Sequence, residues 1–237
     1  MKPIDILVFS PHPDDAEIGC AGTILLETDR GRRVAIADLT DGECAGQGSR
    51  KQRNREREKA AALMGLADRI SLKLPDTQIG SSPEHRLVLI EAIRKTRPKI
   101  ILAPYEKDRH PDHEGTSRLV REAFFYAGVE KVHKGKAYRP AAIYTYMIHT
   151  PFMPSFVIDI SSVWERKQEI IKAYRSQFTG GKTAIGKPDF LHYLEARSRF
   201  YGAHIGALSG EPFFCEGPLG LDGLPKTASE DTYKCCR

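Results

Sequence analysis

The sequence predicts an α/β fold: a Rossmann-like, open and mostly parallel sheet with helices on both faces. Two observations carry that expectation. Short apolar runs alternate with helical segments four times between Ile4 and Ala127, and a crossover that contains a helix returns the chain parallel to the strand it left. The runs are also apolar at consecutive positions, as strands buried on both faces are, and do not alternate with polar residues.

Each element has its own signal. Ile4–Ser10 (IDILVFS) reads as a buried strand, and Ile18–Arg30 places Ile18, Ala21, Leu25 and Leu26 at helical spacing before Gly31 stops it. Val34–Thr40 is a second strand, Asp41–Ser49 a Gly-rich loop, and Arg50–Met64 a helix ended by Gly65. Ile70–Leu74 is a third strand. Pro83 suits the first turn of a helix running to Arg97, closed by Pro98. Lys99–Ala103 is a fourth strand, Pro104–Asp112 a polar loop, and His113–Ala127 a helix. Further on, Ala142–Met147 and Ser155–Ile160 are strand-like. Ser161 or Ser162 is placed to cap a helix reaching Gln177, and a last helix spans about Asp189–Gly206. The Gly- and Pro-containing tail after about residue 210 is expected to be irregular. No linker or internal repeat divides the chain, so one domain over residues 1–237 is expected.

Composition narrows the function classes. Thirty-six basic against 31 acidic residues leave +5, and 41% of residues are hydrophobic, which excludes a disordered chain or a disulfide scaffold. No apolar run approaches the roughly 20 residues of a membrane helix, and Pro3 and Asp5 break the first run, so it does not read as a signal peptide. Cys20, Cys44, Cys215, Cys235 and Cys236 include no C-x-x-C pair, and read as thiols of a reducing compartment. The expectation is a cytoplasmic protein without a membrane partner. In the basic stretch Arg50–Lys59, glutamates interleave and no aromatic platform appears. It reads as a solvated helix face, and no nucleic-acid partner is expected.

Chemistry concentrates in two loops. Pro11-His12-Pro13-Asp14-Asp15-Ala16-Glu17 follows the first strand, and Arg109-His110-Pro111-Asp112-His113 follows the fourth. In a doubly wound sheet these strands commonly lie side by side at the switch point, where ligands bind beyond the carboxyl ends of the strands. Clustered carboxylates are costly to bury without a cation, and imidazole with carboxylate suits zinc. Either loop alone is ordinary turn and capping chemistry; the pair points to a metal site at the C-terminal ends of strands one and four.

The P-H-P-D-D-A-E and H-P-D-H stretches resemble the zinc-dependent N-deacetylases of the LmbE/PIG-L family, and the resemblance runs over roughly residues 4–206. Leu39–Glu43 (LTDGE) and Ala103–His113 (APYEKDRHPDH) look most like the branch that makes bacillithiol, whose substrate is N-acetylglucosaminyl malate. Pro11 stands where many members have alanine. The resemblance implies His12, Asp15 and His113 as metal ligands, with Zn2+ or, from the same donors, Fe2+. It implies Asp14 as general base and His110 as acid or electrostatic partner, with Asp112 favouring the charged imidazole. Arg53 and Arg109 are candidate readers of malate carboxylates. Glu17 is expected to support the first loop. The reaction implied is metal-assisted hydrolysis of an acetamide on an N-acetylglucosaminyl substrate, by a homo-oligomer, trimer or hexamer.

Other signals carry less. Thr179-Gly180-Gly181-Lys182-Thr183 lacks the glycine a phosphate loop needs at 176, where Ser176 sits. No G-x-G-x-x-G follows the first strand, so no dinucleotide is expected. His192, His204, Trp164, Tyr144 and Tyr146 read as packing or surface residues. Two histidines and a carboxylate also suit a non-haem iron oxygenase, and a sugar-binding protein without catalysis is a third class. The base beside the ligand set favours hydrolysis over both.

Overall fold

A computed structural model of the chain describes residues 3–44, 49–80, 82–178, 190–221 and 223. The phosphate-loop-like stretch, the start of the last helix at Asp189, and Cys235 and Cys236 lie outside the described residues. The elements are β1 (Ile6–Ser10), α1 (Asp15–Asp29), β2 (Val34–Asp38), α2 (Arg50–Met64), β3 (Asp68–Ser71), α3 (Pro83–Thr96), β4 (Ile100–Pro104) and α4 (Pro111–Tyr126). The second half adds β5 (Ala142–Tyr146), β6 (Phe156–Asp159), α5 (Trp164–Lys172), α6 (Arg175–Phe178), α7 (Phe190–Ala203) and β7 (Gly210–Phe214).

The strands form one seven-stranded sheet in the order β3-β2-β1-β4-β5-β7-β6. The first five run parallel; β7 is antiparallel to both of its neighbours. Order reverses between β1 and β4, which pair directly with Ile6 opposite Ile100. Successive residues of β1 enter opposite cores, as the two-residue repeat of a strand requires. Ile6 and Val8 join the cluster under α1, α5 and α7. Leu7 and Phe9 join the one under α3 and α4.

Capping fixes several helix starts. The Ser49 side chain accepts the Gln52 N–H at α2, and Ser82 accepts Glu84 N–H just before Pro83 at α3. Gly65 ends α2 in the left-handed conformation, φ 64°.

Four expectations are corrected. The third strand ends at Ser71, where its pairing to Asp38 stops. The helix expected from Ser161 to Gln177 is a 3-10 turn followed by α5 and α6; the Ser161 hydroxyl accepts the Leu208 and Ser209 N–H groups and does not cap a helix. Helix α4 starts at Pro111, two residues early, because the His110 side chain caps it. The tail after 210 is not irregular at first: β7 lies between β5 and β6, with Glu211 buried. No described helix is long and apolar enough to cross a membrane.

Candidate functional site

The loops after β1 and β4 meet at the carboxyl edge of the sheet. They line a cleft of about 260 Å³ with His12, Asp14, Asp15, Arg53, Arg109, His110, His113 and His149. The first loop is built around Ser10. Its hydroxyl donates to His12 O (2.7 Å) and accepts the Ala16 N–H (3.1 Å), tying the end of β1 to the start of α1.

Asp15 Oδ2 stands 3.0 Å from His12 Nδ1 and 3.2 Å from His113 Nε2. A tetrahedral ion with bonds of about 2.0–2.1 Å has ligand–ligand edges of about 3.3 Å, so these atoms are spaced for one cation. Two other groupings also bring their ligand atoms within 4.8 Å of one another: His12 with His110 and Asp112, and Asp108 with His113 and His149. In both of those the carboxylate is already engaged by backbone. Asp112 accepts the N–H groups of Thr77 and Ile79, and Asp108 those of His110 and His149. Asp15 takes one backbone N–H, from His12, through Oδ2. The donor set of two imidazoles and one carboxylate fits zinc or iron.

The outer nitrogens of both histidines are also held. His113 Nδ1 lies 3.0 Å from Asp108 Oδ1, which aims Nε2 at Asp15. His12 Nε2 lies 3.1 Å from Asp76 Oδ1 and 3.2 Å from Asp112 Oδ2. Such partners orient a ligand ring and raise its basicity. Burial works against ionisation of Asp108, but the hydrogen bond and charge of His113, the His110 N–H and the charge of His149 together outweigh it and the carboxyl falls to about 2.

Asp14 sits between this cluster and α2. Its φ is 127°, and its side chain makes no cap bond to α1, so the carboxylate is left for the cleft. Burial first, and then the neighbouring Asp15 charge, push the Asp14 carboxyl up to about 8, against the pull of Arg53. Across the cleft, His110 Nδ1 accepts the Asp112 backbone N–H at 3.2 Å. The ring proton therefore sits on Nε2. Burial, then the charges of His113 and His12, hold His110 below its ordinary value.

Two expected roles meet a different geometry, and a third is outweighed. The Asp112 carboxylate accepts from His12, Thr77 and Ile79 while its backbone N–H caps on the His110 ring; its charge favours the His110 imidazolium as expected, but burial and the charges of His113 and His12 outweigh it. Arg53 is 5% exposed and donates to Gly42 O (2.7 Å) and Pro13 O (3.2 Å), so its fork is closed by backbone. Glu17 accepts from Arg69 (2.6 Å) and Tyr174 (2.7 Å), bracing α1 against β3 and the end of α5 instead of the loop. Arg109 does lie exposed on the cleft.

Sequence reasoning missed Asp76, Asp108 and His149. His149 stacks on His113 (5.3 Å between centroids, 20°), and burial lowers it to about 4. The available signal was position: Asp76 and His149 follow β3 and β5 at the same sheet edge, and Asp108 lies inside the second loop.

Comparison with known proteins adds four findings. A family described as GlcNAc-PI de-N-acetylase (PIG-L) matches residues 7–124. Diacetylchitobiose deacetylase of Thermococcus kodakarensis is 30% identical over 214 residues, covering 85% of this chain and 79% of that protein. A probable N-acetyl-alpha-D-glucosaminyl L-malate deacetylase 2 of Bacillus cereus is 30% identical, covering 73% of this chain and 83% of its own length. Among solved structures, a conserved protein from Thermus thermophilus superposes with a TM-score of 0.87 at 37% identity, over 95% of this chain and 100% of that one.

Proposed function

The chain belongs to the PIG-L family of de-N-acetylases, and from that membership we propose that it is a zinc-dependent hydrolase that releases acetate from an N-acetylglucosaminyl conjugate. The observation that carries this reading is the uncapped Asp14 carboxylate beside the His12–Asp15–His113 cluster, with His110 on the same cleft. When bound there, zinc supplies a Lewis acid that activates water and polarises an acetyl carbonyl. Asp14 would receive the water's proton as the water oxygen attacks the acetyl carbon, and return it to the sugar nitrogen as the C–N bond breaks. His110, neutral and protonated at Nε2, donates a hydrogen bond to the acetyl oxygen as negative charge develops there. Asp112 fixes the His110 tautomer through its backbone and steadies His12 through its carboxylate.

Malate is the aglycone we carry forward. Arg109 offers an exposed guanidinium on the cleft, and a guanidinium fork suits a carboxylate. Diacetylchitobiose is the competing substrate, through the Thermococcus relative. The test is acetate release from N-acetylglucosaminyl malate, N,N′-diacetylchitobiose and N-acetylglucosamine, with and without a chelator. We expect chelator-sensitive release, highest kcat/KM for the malate conjugate, and a loss of about 10²–10⁴-fold in Asp14→Asn with metal content unchanged. Full activity in Asp14→Asn, or release indifferent to the chelator, sinks the reading; a preference for diacetylchitobiose moves the aglycone to a second sugar.

A further inference from the structure

We propose that Arg53 is a positioning residue for Asp14, and that it does not read the charge of the substrate. The kinetic part of the argument rests on the deacetylase reading above; the geometric part does not.

Arg53 reaches from α2 into the gap between the loops after β1 and β2. Its Nη1 donates to Gly42 O at 2.7 Å, and its Nη2 donates to Pro13 O at 3.2 Å and lies 3.5 Å from Asp14 Oδ2. Its Nε is buried without a partner. Recognition of a carboxylate in the bidentate manner needs an open pair of N–H groups. Here the Nη1/Nη2 edge faces two carbonyls and the Nε side is buried.

Gly42 provides an independent sign that the place is shaped for this head group. Its φ is +65°, and a Cβ there would stand 2.2 Å from Arg53 Nη1. The loop after β2 therefore approaches the guanidinium as closely as backbone can.

What the fork grips is the local backbone of Asp14. Asp14 has φ 127°, a region that residues with a Cβ seldom enter and hold only where their surroundings over-determine it. Pro13 O belongs to the peptide plane on one side of that torsion, and the Asp14 carboxylate hangs from the other. Arg53 Nη2 touches both. The same side chain thus restrains the torsion and the carboxylate it aims.

The test compares Arg53→Lys, Arg53→Ala and Gly42→Ala with the parent, on neutral N,N′-diacetylchitobiose and on anionic N-acetylglucosaminyl malate. A misplacement of about 1 Å at a reacting group costs up to about 100-fold. We expect kcat to fall about 10–100-fold on both substrates with KM little changed, and millimolar guanidinium to restore part of the loss in Arg53→Ala only. A rise in KM confined to the malate substrate, with kcat intact, overturns the proposal and returns Arg53 to carboxylate recognition. A crystal structure of Arg53→Ala, or of Arg53→Lys if the alanine variant does not fold, gives a readout independent of activity. Relaxation of Asp14 to negative φ or rotation of its carboxylate supports positioning; an unmoved Asp14 overturns it. Should the parent release no acetate from either sugar, the deacetylase reading fails while the crystal structure still decides the role of Arg53.

Discussion

Asp108 shows how much of the site lies behind the residues that would touch a metal. Its Oδ1 is 3.0 Å from His113 Nδ1 and also accepts the His110 N–H, and its Oδ2 accepts the His149 N–H. One carboxylate therefore orients the His113 imidazole and ties the loop after β4 to the chain after β5. Asp108→Asn is expected to lower zinc affinity about 10–100-fold, the usual cost of losing such a partner. Competition with a chromophoric chelator measures it, and affinity equal to the parent would refute the role. This residue was hard to read in the sequence. His12, Asp15, His110 and His113 announce themselves by clustering, whereas Asp108 is one more acid in a polar loop until the ring of His113 is placed.

Helix α1 depends on elements from the far end of the chain. Cys20 leaves helical geometry (φ −145°, ψ 20°), which breaks the hydrogen-bond ladder and strands backbone groups in the core. Glu211 of β7 accepts the freed N–H groups of Gly22 (2.8 Å) and Thr23 (2.7 Å). Lys167 of α5 and Arg197 of α7 donate to the Ile18 carbonyl at 3.0 and 2.7 Å. Lys167 also donates to Glu211 at 2.6 Å, and both side chains are 2% exposed. Lys167→Met leaves the Glu211 carboxylate buried without its cation, which typically costs about 3–5 kcal/mol. At roughly 2–4 °C per kcal/mol for a chain of this size, calorimetry should show Tm lower by about 6–20 °C. A variant that melts with the parent would show the pair to be dispensable. The helical spacing of Ile18, Ala21, Leu25 and Leu26 was legible, but the break was not, because it is stabilised by partners more than 140 residues away.

The sheet as a whole sets where the chemistry occurs. With β1 and β4 adjacent and parallel, two loops about 100 residues apart open side by side at the carboxyl edge. The second half completes the same sheet: β7 supplies both the pairing between β5 and β6 and the buried Glu211. A chain ended at Ala207 loses both, and circular dichroism is expected to show no cooperative thermal transition. Retention of a cooperative melt would mean that the sheet closes without its antiparallel strand.

The sequence by itself determined the parallel half of the fold and the residue types of the His/Asp cluster that could hold a metal. Consecutive apolar positions, glycine stops and prolines act over a few residues, and H-P-D motifs after two strand ends need only the switch-point rule to bring them together. Tertiary structure alone decided the place of β7, the turning of Asp112 to His12, the enclosure of Arg53 and the recruitment of Asp76, Asp108 and His149. The physical reason is the range of the forces involved. Backbone propensity and burial are written in neighbouring residues, while the partner of a buried polar atom is whichever group the packed chain places within about 3 Å of it.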